Sequence, residues 1–110
     1  MKMIRAIIRP EKEEEVVEAL AKAGFPALSK IDITGRGRQR GIQVGSALYE
    51  ELAKVQIMVV VDEDKADQAL QTILESAKTG NFGDGKIFVT PVEETYTIRT
   101  GKKEASLAAR

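Results

Sequence analysis

Four stretches of the chain carry the patterns of β-strands. In the first stretch Ile4, Ala6 and Ile8 share one face, and Met3 and Ile7 on the other predict that it, too, is partly covered. In the second stretch the apolar residues recur with the period of two that is typical of a strand. The third stretch is apolar on both faces in its second half, which predicts burial on both sides. The fourth ends at a proline, which interrupts strand pairing. The predicted strands are residues 2–9, 27–34, 52–61 and 86–90, and the predicted buried pair of the second strand is Ile31 and Ile33.

Two helices are predicted between these strands, because apolar residues recur there at intervals of three and four. The first begins at Pro10, and the glutamates that follow complement the positive end of a helix. It is predicted to end at Gly24. The second follows residues 62–64, whose carboxylates offer capping oxygens, and continues to Ala77. The order β-α-β-β-α-β indicates an α+β, ferredoxin-like fold in a single domain of residues 1–101.

This sheet is predicted to have one face without cover. The helices lie on one side only, and strands that are apolar on both sides cannot leave the other side in water. We therefore expect an oligomer in which open sheet faces meet. Beyond the fourth strand, residues 92–100 are β-prone and are predicted to be extended. The small and polar residues 102–110 are predicted to form a disordered tail.

The composition argues against much enzyme chemistry. Seventeen basic residues balance seventeen acidic ones, so no overall field favours nucleic acid or anionic membranes. The chain has no cysteine and no histidine, which removes thiol nucleophiles, disulfides and the usual acid–base residue near neutral pH. No long apolar run or cleavable signal is present, so the cytoplasm is the predicted location.

Residues 35–51 are predicted to form a long loop, since they are rich in glycine, arginine and glutamine and show no sustained period. A loop of this length in a compact domain usually carries function or is mobile. Its basic run can be a solvated turn, an RNA contact, or, through Arg38 and Gln39, part of a ligand site. RNA contact is disfavoured, because the predicted strands lack the exposed aromatic pair that stacks bases and the net charge is zero.

Residues 79–86 form a second glycine-rich segment, between the second helix and the fourth strand. Gly80, Gly83 and Gly85 can adopt positive φ and let the backbone approach a ligand closely. Successive amides in such a turn can form an anion-binding nest, beside which Lys86 adds a positive charge. The simpler interpretation is a helix C-cap followed by a turn into a strand. The spacing matches neither a Walker A loop nor a Rossmann fingerprint.

As a whole string, residues 79–89 resemble the nucleotide-binding B-loop of the PII signal-transduction proteins. The resemblance covers residues 1–101, and its other matching strings are Ile4-Arg5-Ala6-Ile7-Ile8-Arg9-Pro10, Gly35-x-Gly37-Arg38-Gln39-x-Gly41, Leu52-Ala53-Lys54-Val55 and Ile98-Arg99-Thr100-Gly101. PII proteins are trimers that bind ATP or ADP in the clefts between subunits. With Mg-ATP bound they also bind 2-oxoglutarate, at the base of a long T-loop. The resemblance implies that residues 35–51 are the T-loop and residues 79–86 the B-loop.

The resemblance also implies a set of site residues. The nucleotide-binding residues would be Ser29, Gly35, Gly37, Arg38, Gly83, Asp84, Gly85, Lys86 and Arg99. Gln39 would help to hold Mg and 2-oxoglutarate, and Lys54 would pair with a 2-oxoglutarate carboxylate. Three positions depart from the family: Asn81 and Thr97 stand where lysine and arginine are common, and Met58 replaces an acidic residue. These departures leave the preference between ATP and ADP open.

Within the family, the short loop Gly41-Ile42-Gln43-Val44-Gly45 resembles the nitrogenase-associated NifI proteins, specifically the first member of a tandem pair. Such proteins act directly on dinitrogenase, usually with the second paralogue. The resemblance therefore implies a sensor rather than an enzyme, in a homotrimer or a mixed assembly, with dinitrogenase as target and neither nucleic acid nor a membrane span involved.

The T-loop also carries apolar residues that a solvated linker does not need. The predicted docking residues are Ile42, Val44, Leu48 and Tyr49. Apolar anchors of this kind supply most of the binding energy of an interface. The alternative class is a small phosphoryl-transfer or acylphosphatase-like enzyme on the same fold. Without histidine or cysteine it would depend on Arg38, Asp84 and Lys86 for electrostatic catalysis.

Overall fold

The computed structural model describes residues 1–44 and 46–105, and for residues 37–50 it describes the backbone and not the side chains. The strands are β1 (Lys2–Ile8), β2 (Ser29–Val44), β3 (Ser46–Val61), β4 (Lys86–Pro91), β5 (Tyr96–Thr97) and β6 (Lys102–Lys103). The helices are α1 (Glu13–Lys22) and α2 (Ala66–Ala77), each preceded by a one-turn 3₁₀ helix, Pro10–Lys12 and Glu63–Lys65.

The main sheet has four antiparallel strands in the order β2-β3-β1-β4. Strand β1 lies between β3 and β4, so that Ile4 pairs with Val59 on one side and with Val89 on the other. The strand order and the two helices confirm the predicted α+β, ferredoxin-like fold.

The hydrophobic core lies between this sheet and the two helices. Alternate residues of the central strands point toward the helices because side chains in a strand change face at every position. The buried residues of β1 and β3 are Ile4, Ala6, Ile8, Val55, Ile57, Val59 and Val61, and those of the helices include Val16, Leu20, Ala69, Ile73 and Ala77. The alternation predicted from the sequence is therefore the pattern that builds the core.

The starts of the helices differ from the prediction at one point. The carboxylates of residues 62–64 were expected to cap α2, but no side-chain cap hydrogen bond is described at either helix start in residues 1–44 and 46–105. The prediction is wrong because the 3₁₀ turn comes first, and the Lys65 amide donates to the Asp62 carbonyl oxygen at 2.9 Å. At the end of α1, Gly24 has φ +97°, as expected of a helix-terminating glycine.

The open face of the sheet carries residues that were expected to lie in the core. Ile31 pairs with Gln56 and Ile33 with Lys54, which places both isoleucines on the face opposite the helices. Ile31 is 49% exposed, so the prediction of a buried pair is wrong for the isolated chain. The register instead turns Lys30 toward the helices, where its Nζ lies 3.6 Å from Glu13 Oε2 of α1.

Several apolar side chains of the central and outer strands share this open face with Ile31. They are Met3, Ile7, Met58, Val60 and Phe88. The half-exposed Phe88 of β4 faces solvent here. An apolar face of this kind is characteristic of a surface that binds a partner.

Residues 35–51, predicted to be a loop, form most of a long β-hairpin. Pairing between β2 and β3 continues from Gly35 with Leu52 as far as Arg38 with Tyr49. The register shifts after Arg38 and resumes at Gln43 with Ala47. The prediction was wrong because the two arms satisfy each other's backbone donors and acceptors, and this pairing requires no apolar period in the sequence.

The end of the chain is also more regular than predicted. Residues 92–100 were expected to be extended, but only Tyr96 and Thr97 form a strand, and residues 98–101 make a turn. Lys102 and Lys103, predicted to begin a disordered tail, pair with that strand as β6. Residues 106–110 lie outside the described residues. None of the helices in the described part of the chain is long and apolar enough to span a membrane.

Candidate functional site

The glycine-rich segment between α2 and β4 is organised around the carboxylate of Asp84. The backbone amides of Thr79 and Gly80 donate to Oδ2 at 2.9 and 2.8 Å. The Thr79 hydroxyl and the Arg9 Nε donate to Oδ1, the latter at 2.9 Å. These four donors close the segment into a compact loop and fix its two ends relative to each other.

The same donors stabilise the ionised form of Asp84. The pKa of Asp84 is held well below its usual range, chiefly by the Thr79 hydroxyl and then by Arg9 and the two backbone amides, which together outweigh the effect of burial. The carboxylate is therefore charged throughout the neutral range. With four donors already bound, it is a structural group of the loop.

Two cationic side chains hold adjacent carbonyl groups of the loop. Arg9, which follows β1, donates from Nη2 to the Phe82 carbonyl oxygen at 2.7 Å. Lys54 of β3 donates from Nζ to the Gly83 carbonyl oxygen at 2.5 Å. The pKa of Lys54 is lowered, first by partial burial and then by the neighbouring Arg9 charge.

These carbonyl contacts determine where the next amides point. In a trans peptide the N–H lies on the opposite side from the preceding C=O, and the described residues contain no cis peptide bond. Because the carbonyls of Phe82 and Gly83 point toward Arg9 and Lys54, the amides of Gly83 and Asp84 point away from these cations. Consecutive amides that point away from the protein in this way can bind an anion.

Two glycines of the loop are required by geometry. Gly83 and Gly85 have φ of +98° and +102°, a region that other residues rarely adopt. A Cβ on Gly85 would lie 1.7 Å from the Ile7 carbonyl oxygen, so the loop packs directly against the end of β1. A Cβ on Gly83 would lie 3.3 Å from Arg9 Nη2.

The structure brings together several residues that the sequence analysis placed in the site. Gly83, Asp84, Gly85 and Lys54 share the contacts described above, and Lys86 follows as the exposed first residue of β4. Gly35 also belongs to this end of the sheet, because a Cβ on it would lie 3.1 Å from Lys54 Cγ. The structure does not describe the side chains of several other predicted residues, namely Arg38, Gln39, Ile42, Val44, Leu48 and Tyr49. For Gly37 it describes the backbone pairing with Glu50.

Two predicted site residues lie elsewhere in the single chain. Ser29 pairs with Met58, four residues along β3 from Lys54, which is about 13 Å at ~3.3 Å per residue. Arg99 lies in the turn between β5 and β6, and this hairpin is anchored beside Met1, whose carbonyl accepts from the Val92 amide at 3.0 Å. Met1 and Ile7 are separated by most of β1, or about 20 Å.

Sequence reasoning missed two residues that build the loop. Thr79 was included only as part of the segment, and Arg9 only as part of a matching string, yet both donate to Asp84. A signal was present for Thr79, because a hydroxyl residue just after a helix and before a glycine can bond to a nearby carboxylate. The Arg9 contact spans 75 residues of sequence and has no local signal.

Comparison with known proteins identifies the family. The family description "Nitrogen regulatory protein P-II" matches residues 1–102. The chain is 55% identical over 100 residues to the "Nitrogen fixation nifHD region glnB-like protein 1" of Methanococcus maripaludis, covering 91% of this chain and 95% of that protein. The chain therefore belongs to the nitrogen regulatory protein P-II family, as the resemblance predicted.

Two further relatives support the family, and the first of them is named for a nitrogen-fixation region. A Methanosarcina barkeri protein named for the nifHD1 region is 55% identical over 102 residues, covering 93% of this chain and 97% of its own length. "Nitrogen regulatory protein P-II 2" of Methanothermobacter thermautotrophicus is 45% identical over 106 residues, covering 93% and 92%. The predicted relation to the nitrogen-fixation-associated members is thus confirmed by names and identities together.

Replacing Gly85 by alanine is expected to disrupt the loop more than replacing Gly80. Both glycines have positive φ, but a Cβ on Gly80 meets nothing within 4 Å. Gly80→Ala should therefore lower the free energy of unfolding by about 1–2 kcal/mol. Gly85→Ala should cost at least about 2 kcal/mol more, because the Ile7 carbonyl must move. Urea denaturation at fixed chain concentration measures both, and equal losses would contradict the packing described.

Replacing Asp84 by asparagine is expected to destabilise the protein in a pH-dependent way. At pH 7 the loss of charge-assisted hydrogen bonds should lower the free energy of unfolding by about 1–3 kcal/mol. Because the folded pKa of Asp84 is depressed, its contribution is complete above the unfolded pKa of about 4 and is lost as pH falls toward the folded value. The difference between the two proteins should therefore shrink below about pH 4. Asp32→Asn, at an exposed position of β2, is the control.

Proposed function

We propose that this protein is a P-II sensor that binds ATP or ADP together with 2-oxoglutarate, and that it regulates dinitrogenase through the hairpin of residues 35–51. The observation that carries the proposal is the loop of residues 79–86. Its outward amides at Gly83 and Asp84, with Lys86 beside them, provide the donors and positive charge that a polyphosphate requires.

The position of Arg99 supports a nucleotide site shared between chains. The loop lies at one end of β1, and the hairpin that carries Arg99 is anchored at the other end. If both belong to one nucleotide site, the loop of one chain meets Arg99 of another. The apolar open face of the sheet supplies a surface for such an assembly, which we propose to be a trimer or a mixed assembly with a paralogue.

In this proposal Mg is held mainly by the nucleotide. The described residues contain no group of three acidic or histidine residues suited to a metal, and Asp84 is occupied by four donors. Mg²⁺ is commonly bound through phosphates with few protein ligands, so the available chemistry fits Mg-ATP with Gln39 as a protein ligand. The metal would neutralise phosphate charge and supply a coordination position for 2-oxoglutarate.

Lys54 links the proposed 2-oxoglutarate site to the nucleotide loop. Its ammonium group now contacts the Gly83 carbonyl, and its stem packs near Gly35 at the base of the hairpin. A carboxylate of 2-oxoglutarate bound to Lys54 would therefore change the contacts of both the glycine-rich loop and the base of the hairpin. Through such differential contacts an effector can shift the hairpin between conformations.

The proposed output is direct inhibition of dinitrogenase, relieved by 2-oxoglutarate when nitrogen is scarce. Relatives of this chain are named for nifHD regions associated with nitrogen fixation. The paired arms of β2 and β3 carry the predicted docking residues to the far end of the hairpin. A projecting hairpin with apolar anchors is a suitable shape for insertion into a partner.

The ligands are expected to bind in a linked order. Calorimetry should show that 2-oxoglutarate binds only with Mg-ATP present and fails with ADP, because the γ-phosphate and metal complete its site. Gln39→Ala should abolish 2-oxoglutarate binding while largely sparing ATP. Binding of 2-oxoglutarate with equal affinity in the absence of nucleotide would contradict this linkage. Steady ATP turnover by the wild type would favour a phosphoryl-transfer enzyme instead.

Removing residues 43–48 from the hairpin is expected to separate sensing from output. The shortened protein should still assemble and bind ATP, because these residues lie beyond the paired base at Gly35 and Leu52. Acetylene reduction by dinitrogenase, with the tandem paralogue and ADP present, should no longer be inhibited. The wild type should inhibit and be relieved by ATP with 2-oxoglutarate. Full inhibition by the shortened protein would show that the hairpin is not the inhibitory element.

A further inference from the structure

Arg9 is tied to the glycine-rich loop by two of its donor nitrogens. Its Nε donates to Asp84 Oδ1 at 2.9 Å, and its Nη2 donates to the Phe82 carbonyl oxygen at 2.7 Å. The third nitrogen, Nη1, lies 3.8 Å from Glu11 Oε1, beyond hydrogen-bond distance. The side chain is 23% exposed, and both of its described hydrogen bonds are made to the loop. Arg9 therefore binds the loop through one edge of its guanidinium group.

The backbone of Arg9 is fixed by its place in the chain. It follows the last residue of β1 and has an extended backbone, with φ −65° and ψ 139°. Pro10 comes next and begins the turn that precedes α1. In this turn the Lys12 amide donates to the Arg9 carbonyl oxygen at 3.0 Å. The guanidinium thus reaches the loop from a rigid strand end.

The two loop groups that Arg9 holds flank Gly83. Because the guanidinium is planar, one side chain can bind the Phe82 carbonyl and the Asp84 carboxylate at the same time. The absence of a Cβ on Gly83 lets Arg9 Nη2 come this close, since a Cβ there would lie 3.3 Å from it. The Phe82 carbonyl therefore points toward Arg9, and the Gly83 amide points away from it.

We propose that Arg9 is a positioning residue for phosphate: through the Phe82 carbonyl it orients the amide of Gly83 so that this amide can donate to the phosphates of a nucleoside di- or triphosphate. This assignment rests on the proposed nucleotide-binding function and deepens it. The charge of Arg9 is largely balanced by Asp84, so its contribution to phosphate binding is geometric. A lysine at this position would keep the charge but could not bind both loop groups with a planar fork.

The test compares Arg9→Gln, Arg9→Lys and the control Lys30→Gln. Lys30 also forms an ion pair, with Glu13, but on the helix side of the sheet. Calorimetry with ADP should show about 10-fold or greater weakening for Arg9→Gln, a smaller loss for Arg9→Lys and no change for the control. Adenosine, which lacks phosphate, measured by competition with a fluorescent nucleoside, should bind all four proteins equally.

A second measurement follows the loop without any ligand. The ¹⁵N-amide resonances of Gly83 and Asp84 should shift in Arg9→Gln and stay in place in Lys30→Gln. Unchanged resonances, or equal weakening of adenosine and ADP, would overturn the positioning role. Failure of the wild type to bind ADP would instead reject the nucleotide-binding function, and the resonances would then show whether Arg9 still sets the loop geometry.

Discussion

The carboxylate of Asp84 is the interaction on which the candidate site depends. It joins the residues that follow α2 to the strand end that carries Arg9, although Asp84 and Arg9 are 75 positions apart in sequence. Four donors around one carboxylate allow a segment with three positive-φ glycines to keep a single conformation. Without these hydrogen bonds the segment would favour disorder, because the backbone freedom that lets glycine adopt positive φ also makes it costly to order.

The main sheet places this anchor at one end of the molecule. The strand order sets β1 between β3 and β4, so Arg9 and Lys54 both reach the loop that leads into β4. The residues expected to complete the site stand at other points of the same chain. This separation supports the proposed assembly, and the apolar open face of the sheet is the surface on which we propose that chains meet.

Much of the fold could be predicted from periodicity, because the buried face of β1 and β3 alternates strictly and the two helices each present an apolar stripe. Register could not be predicted, and this is why Ile31 was placed in the core: a shift of one residue exchanges the two faces of a strand. The hairpin of residues 35–51 was missed because backbone hydrogen bonds pair its arms, and these bonds require no apolar period in the sequence. The glycine loop was found from composition, whereas its support by Arg9 required tertiary structure.

We propose that the nucleotide site forms between chains, and native mass spectrometry of the purified protein titrated with ADP tests this proposal most directly. We expect a trimer that takes up as many as three nucleotides, while any monomer present remains without ligand. A monomer that binds ADP as readily as the assembly would contradict a site divided between two chains.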